Sequence, residues 1–222
     1  MKGLTKFVAL GAVAAASTSL AFATPVTPGG PTVTGSNAIT ITNDGFVATT
    51  FGTLTAKTFT GSYLEYVIKD GSNPYGVDDL TFLISVSNNA GSPNGIEHVS
   101  NGDDQSSFAL FPSVNVGYIS GGYGTDAPAT IDETLYGTVE FNFTGTDNIA
   151  AGTGTSYLVI QTAATNFAYG NIGVIDSSTD TVTGLVPALP TPEPNSLVLL
   201  GTGLFGAAGT LLRRRKTASD LR

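Results

Sequence analysis

Three residue types are missing or nearly missing from this chain. Among its 222 residues there is no cysteine, no tryptophan and a single histidine, His98. Without cysteine the chain can form neither disulfides nor thiolate metal sites, and one imidazole is too few for a multi-histidine zinc site. The chain also lacks a Gly-x-Ser-x-Gly elbow, so a Ser-His-Asp hydrolase is disfavoured and His98 is expected to be a polar residue at the edge of segment 96–99. We therefore expect a protein that is not an enzyme.

Basic residues are scarce, and most of them lie at the two ends of the chain. Seven of the nine lysines and arginines fall in segments 1–6 and 213–222. Between Thr24 and Thr191 only Lys57 and Lys69 stand against fifteen acids, which gives this part of the chain a net charge of −13. Such a surface repels phosphate backbones, so nucleic acid is excluded as a partner.

The interior of the chain has no helical period, because its hydrophobic residues recur at every second position instead. Between Leu80 and Val86, for example, large apolar residues stand at all the even positions. This alternation is typical of strands with one face in a core, and turn-forming Gly, Pro and Asn clusters separate the segments. Nine strands are predicted, over 38–42, 46–54, 63–69, 80–86, 114–119, 139–143, 157–162, 172–175 and 181–186. The sequence predicts an all-β domain over 38–186, an antiparallel β-sandwich, with a single closed barrel as the alternative.

The first 23 residues have the pattern of a secretory signal peptide. Lys2 and Lys6 provide the charged start, 7–16 the apolar centre, and Ala21 and Ala23 the small residues before a cleavage site. We expect a secretion translocon and a signal peptidase as partners, with cleavage after Ala23. Residues 24–37, which are rich in Pro, Gly and Thr, are predicted to be a flexible leader.

The other end of the chain combines a proline-rich linker, an apolar run and a basic cluster. The linker, 187–195, contains the triplet Pro192-Glu193-Pro194, and the run 197–212 would reach roughly 25 Å as a helix, just enough to span a membrane. We predict a transmembrane helix with its basic stop over 196–216 and a cytoplasmic tail over 217–222. The stop consists of Arg213, Arg214, Arg215 and Lys216. By the positive-inside rule it keeps the carboxyl end in the cytoplasm and the β-domain outside.

These three parts in this order resemble the PEP-CTERM sorting signal of Gram-negative bacteria. The resemblance implies that Pro192, Glu193 and Pro194 are the recognition motif and that Arg213, Arg214 and Arg215 form the stop. It also implies export, recognition by an exosortase that cuts near the triplet, and release of the domain or its transfer to another molecule. Proteins with this signal are associated with exopolysaccharide and biofilm. The expected location is therefore membrane-anchored at first, and the cell surface or extracellular space after processing.

Two other interpretations of the tail are weaker. A Gram-positive sortase signal needs a Thr-Gly pair, whereas Pro192 follows Thr191. Segment 201–206 matches the Gly-x-Gly-x-x-Gly dinucleotide fingerprint, but the chain after it is too short for a βαβ unit. A plain membrane anchor remains as the alternative to a sorting signal.

Paired acids in loops are the main candidates for chemistry. Asp78, Asp79, Asp103 and Asp104 could supply oxygen ligands to calcium, the only cofactor that the sequence leaves open. Asp132 and Glu133 form a third pair, and two carboxylates from different loops could also serve as a glycosidase acid and base. Solvated surface acids are the simplest interpretation of all three pairs.

Several tyrosines could instead form a platform that stacks against sugar rings. The candidates are Tyr66, Tyr75, Tyr118, Tyr123 and Tyr169. The function we predict is that of a non-enzymatic exported surface or extracellular-matrix protein. A carbohydrate-binding or adhesive module is the alternative, and a polysaccharide hydrolase is the third.

Overall fold

The structure is a computed structural model that describes residues 24–35, 38–39, 41–103, 107–145, 148–190, 200 and 202–204. Several predicted features lie outside the described residues and keep their status as predictions. They are the signal peptide with Ala21 and Ala23, the triplet Pro192, Glu193 and Pro194, the basic stop Arg213, Arg214, Arg215 and Lys216, and Asp104.

Twelve strands form two antiparallel sheets of six strands each within the described residues. Their bounds are β1 (Thr24–Val26), β2 (Val33–Thr34), β3 (Asn43–Thr55), β4 (Thr60–Asp70), β5 (Leu80–Asn88), β6 (His98–Gly102), β7 (Val114–Ile119), β8 (Thr130–Glu133), β9 (Val139–Asn142), β10 (Tyr157–Gln161), β11 (Asn166–Ile175) and β12 (Thr179–Ala188). Sheet 1 has the order β1-β7-β10-β5-β4-β3, and sheet 2 the order β12-β11-β6-β9-β8-β2. The predicted antiparallel β-sandwich is confirmed.

The core lies between the two sheets, and strand alternation decides which residues enter it. From sheet 1, Phe82, Ile84 and Val86 point inward; from sheet 2, Val139 and Phe141 do the same, and all of them are fully buried. The short 3-10 helix Phe108–Leu110 adds Phe108, whose ring meets that of Phe82 edge-on with 5.9 Å between the centroids. One contiguous cluster therefore holds the two sheets together.

A second, smaller apolar cluster covers the outer face of sheet 1. Ile39 packs there against Ile68, Leu83 and Val159, so β5 is buried on both faces rather than on one. The prediction of a strand over 38–42 is wrong, because Ala38 makes only an isolated bridge to Tyr118 and the residues described after it lie outside any strand. The alternation of Ile39 and Ile41 packs this segment onto the sheet instead of extending a ladder.

The leader predicted to be flexible contributes a strand to each sheet. β1 pairs with β7, and Val26 is buried in the core; β2 pairs with β8 through Val33 and Ile131. Pro25 is tolerated because β1 is an edge strand and needs no ladder bond from its nitrogen. The prediction of flexibility over 24–37 is therefore wrong for these strands, since Val26, Val33 and backbone hydrogen bonds to both sheets anchor this Pro- and Thr-rich segment.

The last strand also runs further than predicted. β12 continues to Ala188 and includes Pro187, which was assigned to the linker. Because β12 is the edge strand of sheet 2, Pro187 can lie within it without breaking a ladder bond. β12 also closes the sandwich against sheet 1: the Tyr63 hydroxyl donates to the Thr183 carbonyl over 2.9 Å, and the Thr55 N–H donates to the Asp180 carboxylate over 2.6 Å.

Candidate functional site

A polar trough runs across the outer face of sheet 2. Alternation turns Val99 and Asn101 of β6 toward the core, so Ser100 and Gly102 face outward beside Gly173 of β11. The trough has a volume of about 220 Å³. Its lining includes Ser100, Gly102, Asp103, Thr138, Asn171, Gly173, Ile175, Thr179 and Thr181. Most of these residues offer hydroxyl, amide or carboxylate groups.

One cross-strand row on this face brings two acids to the side of the trough. The register aligns Asp132 of β8 with Glu140 of β9, then with Ser100, Gly173 and Thr181. Burial, reinforced by the charge of Asp132, raises the pKa of Glu140, while the nearby His98 opposes this rise. The face is therefore rich in acceptors and negatively charged.

His98 lies on the same face, in a short chain of polar contacts. Its Nδ1 atom is 2.6 Å from the Asn142 amide oxygen, and the Asn142 amide donates to Asp132 over 2.8 Å. The imidazole is half-buried at the start of β6. Asn142 thus connects His98 to Asp132, and the His98–Asn142 contact is that of a positioned polar side chain.

Asp132 and Glu133 are neighbours in sequence but lie on opposite faces of sheet 2. Asp132 points outward, whereas the Glu133 side chain is 2% exposed and points toward the core. Both Glu133 carboxylate oxygens are buried, and neither has a hydrogen-bond partner among the described residues. Burial raises the pKa of Glu133 to about 7. The two acids do not face each other across a common space.

Glu65 is a second buried carboxyl, and it connects the two sheets. It points inward from β4 with Tyr63 and Val67, and its side chain is fully buried. One oxygen accepts from the Leu185 N–H over 2.7 Å, and the other accepts from the Asn101 amide over 2.9 Å. Burial raises the pKa of Glu65 to about 8, although both hydrogen bonds oppose this rise. A proton on this carboxyl is therefore part of the folded state at neutral pH.

The calcium candidates do not assemble into a cluster in the part of the chain that the structure describes. Asp78 forms an exposed ion pair of 2.9 Å with Lys69, and burial together with the charge of Asp78 raises the pKa of Asp79. Asp103 accepts the Ser107 N–H over 3.0 Å. No group of three or more His, Asp or Glu side chains placed to hold a metal ion occurs among the described residues.

Three aromatic rings meet on the outer face of sheet 1. Phe46 and Tyr66 contact edge-on, and Tyr66 and Tyr157 are tilted, with 6.1 Å between the centroids of each pair. Tyr123 is close enough to influence the pKa of Tyr157, which burial raises. The ring contacts therefore join the predicted Tyr66 to Phe46 and Tyr157, with the predicted Tyr123 nearby, and the contacting rings are inclined to one another rather than coplanar.

The remaining tyrosine candidates lie apart from this cluster. The Tyr75 hydroxyl is 3.0 Å from that of Ser113, and Tyr118 is half-buried on β7. Tyr169 is 79% exposed on β11, two residues from Asn171 of the trough. The five predicted tyrosines thus do not form one platform.

Beyond β12 the structure describes only a few residues of the tail. Leu200 and residues 202–204 are helical, and Leu200 and Leu204 are 63% and 64% exposed. In the described part of the chain, no helix reaches the length and hydrophobicity that a membrane crossing requires. Most of the apolar run 197–212 lies outside that part.

The tail is the part of the chain that a protein-family model matches. A family model described as the PEP-CTERM protein-sorting motif matches residues 190–216. The chain carries a PEP-CTERM sorting motif. This motif marks an exported protein whose processing partner is an exosortase, and it begins two residues after β12 ends, so the sandwich is complete before the PEP-CTERM region starts. No curated protein and no solved structure matches the chain significantly.

Proposed function

We propose that this protein is a non-enzymatic component of the cell surface or the extracellular matrix, delivered and then cut free through its PEP-CTERM tail. The observation that carries the proposal is the position of the motif. Residues 190–216 follow immediately on the last strand of a closed sandwich, so cleavage near Pro192 would leave the whole fold intact. In this proposal a translocon and signal peptidase handle residues 1–23, and segment 196–216 holds the protein in the membrane until the exosortase acts.

The acid pairs predicted from the sequence are not arranged as a glycosidase requires. A glycosidase needs two carboxylates that face each other roughly 5 to 9 Å apart. Asp132 and Glu133 point to opposite faces of sheet 2, and Asp78 is engaged by Lys69. His98 contacts Asn142 rather than an acid. These contacts favour structural and surface roles for the candidate catalytic groups.

The proposed setting is an exopolysaccharide or biofilm matrix. The support is the sorting motif, together with a described surface whose only lysines are Lys57 and Lys69. A protein of this charge avoids nucleic acids and anionic lipid headgroups, so it would remain available to neutral matrix polymers. A carbohydrate-binding or adhesive module is the second candidate function, and the polar trough on sheet 2 favours it.

Mass spectrometry of the protein made in a Gram-negative host with an exosortase tests the proposed processing. We expect the protein from the medium and envelope to end near Pro192, and the same host without exosortase to retain the full tail. Replacement of Pro192, Glu193 and Pro194 by alanine should also block cleavage. Mature protein that still ends at Arg222 in the exosortase-positive host would contradict the proposal.

A further inference from the structure

Gly173 lines the trough from within β11, two residues before the strand ends. Glycine in a strand interior costs roughly 0.5 to 1 kcal/mol relative to alanine, so its presence needs a reason. At Gly61 the reason is structural, since a Cβ there would lie 1.9 Å from the Ser87 carbonyl oxygen. At Gly173 a Cβ would meet only the Ser100 hydroxyl, at 2.6 Å, and that side chain can rotate away. A Cβ at position 173 would therefore meet no backbone atom, although the Ser100 hydroxyl would give up its 3.4 Å hydrogen bond to the Gly173 carbonyl.

A strand glycine without a structural reason often marks a place where a ligand approaches the backbone. Gly173 forms the floor of the trough with Gly102 and Ser100, and valine or threonine at position 173 would fill it. The floor is flanked by groups that donate or accept hydrogen bonds. They are Ser100, Asp103, Thr138, Asn171, Thr179 and Thr181.

We propose that the trough binds a neutral saccharide chain. Hydroxyl, amide and carboxylate groups are the partners that sugar hydroxyls need, and the exposed side of Ile175 offers an apolar patch for the C–H face of a ring. The trough lies on an open sheet face, which suits a segment of a polymer better than an enclosed small molecule. The proposal rests on the proposed function, because it requires the domain to meet such polymers outside the cell.

The charge of the site selects against acidic ligands. Neither lysine of the described residues lines the trough, while Asp103 lines it and Asp132 and Glu140 share its face. A uronic acid, sulfate or phosphate group would meet these carboxylates, and no lysine or arginine among the described residues lines the trough to balance them. The ligand is therefore a neutral saccharide.

Tyr169 provides an aromatic ring beyond one end of the trough. By strand alternation it shares a face with Asn171 and Gly173, and its side chain is 79% exposed. Tyrosine rings stack on sugar rings, so Tyr169 would extend the site by one residue of the chain.

Isothermal titration of the full chain, purified in detergent, with neutral oligosaccharides of glucose, galactose and mannose tests the proposal. We expect saturable binding of at least one of them and none of their uronic-acid counterparts. Gly173→Val should weaken binding more than about tenfold because its side chain occupies the trough, and Asn171→Ala should weaken it about three- to tenfold through one lost hydrogen bond.

Protein stability separates loss of the site from loss of the fold. Gly173→Val should leave the melting temperature unchanged or raise it, because valine favours strands. Gly45→Val, on β3 of the other sheet, is the matched control and should bind like the wild type. The proposal is overturned if no neutral saccharide binds, if only acidic saccharides bind, or if Gly173→Val and Asn171→Ala bind undiminished. Since the uncut chain is used, these outcomes are independent of exosortase processing.

Discussion

The buried carboxyl of Glu65 makes the stability of the sandwich depend on pH, and Glu65→Gln isolates this effect. In the unfolded chain Glu65 titrates near its ordinary pKa of 4.5, whereas burial raises its pKa to about 8 in the folded protein. Between these two values the folded state holds a proton that the unfolded state has released. The stabilisation is therefore complete below about pH 4.5 and is lost as the pH rises through 8.

The size of this pH-dependent loss of stability follows from the difference between the two pKa values. Each pH unit in this interval removes about 1.4 kcal/mol, so the wild type should lose up to roughly 5 kcal/mol of unfolding free energy between pH 4.5 and 8. That is a large share of the about 5 to 15 kcal/mol that a domain has in total. Glutamine does not titrate, so the variant should lack this part of the slope.

The hydrogen bonds of Glu65 set the cost of the substitution in mild acid. Glutamine keeps one oxygen for the Leu185 N–H, but its amide then faces the Asn101 amide. The Asn101 Oδ1 atom is buried without a partner among the described residues, and rotation of the Asn101 amide would turn this oxygen toward the glutamine amide. The same rotation would break the hydrogen bond from the Asn101 Nδ2 atom to the Leu185 carbonyl. We expect a cost of about 1 kcal/mol at pH 5. Because the wild type loses about 1.4 kcal/mol per pH unit above that, the two stability curves should cross at about pH 6, and the variant should be the more stable protein at pH 8.

Urea unfolding of both proteins at several pH values from 5 to 9 measures the difference. Both proteins contain Glu133, so its contribution to the pH dependence of stability cancels in the comparison. Glu97→Gln is the control for the substitution of an exposed carboxyl. A difference in unfolding free energy between wild type and Glu65→Gln that stays constant from pH 5 to 9 would refute the reasoning.

Two further predictions concern the core and the surface acids. Phe141→Ala should lower the unfolding free energy by about 3 to 5 kcal/mol, because it empties a fully buried ring site between the sheets. The control, Tyr136→Ala at a 75% exposed position, should change the unfolding free energy by less than about 0.5 kcal/mol. Equal losses for the two variants in chemical denaturation would contradict the assigned core. Removal of calcium with a chelator should leave the melting temperature unchanged, because Asp78 is engaged by Lys69 and no cluster of three acids placed for a metal occurs among the described residues; a fall of several degrees that added calcium reverses would instead establish the predicted calcium site.

The strands that the sequence predicts well lie in the interior of sheet 1. β7 has the predicted bounds, and β5 and β10 differ from the prediction only at one end. Most of their residues are buried on both faces of the sheet, so each strand is a short run rich in β-branched, aromatic and other apolar residues. β6 and β8 were missed as strands, since they are short and carry Asn, Ser, Asp and Glu. Their burial depends on neighbours from distant parts of the chain, which no local pattern reports.

The candidate sites also differ in whether a local sequence pattern predicts them. The sorting motif is local in sequence and could be predicted from the sequence alone. The trough depends on the registers of β6, β9, β11 and β12, so its residues share no pattern along the chain. The sequence contained a signal for the burial of Glu65, because Glu65 stands between Tyr63 and Val67 at every second position along β4, on the inward face. The position of Glu65 in this alternation, and not its residue type, therefore predicts its burial.

The contacts between β12 and sheet 1 set the order in which the sandwich can form. The bonds from Glu65 to Leu185 and from Tyr63 to Thr183 each join residues 120 positions apart. In a chain that leaves the cytoplasm amino terminus first, sheet 1 emerges before residues 179–188, and until then its inner face near Glu65 and Tyr63 remains uncovered. Pairings of such long sequence separation form slowly, and half-formed sandwiches associate with one another. Under the proposed function, cleavage near Pro192 would have to follow the docking of β12, so that the domain is released only after the two sheets have closed over Glu65 and Tyr63.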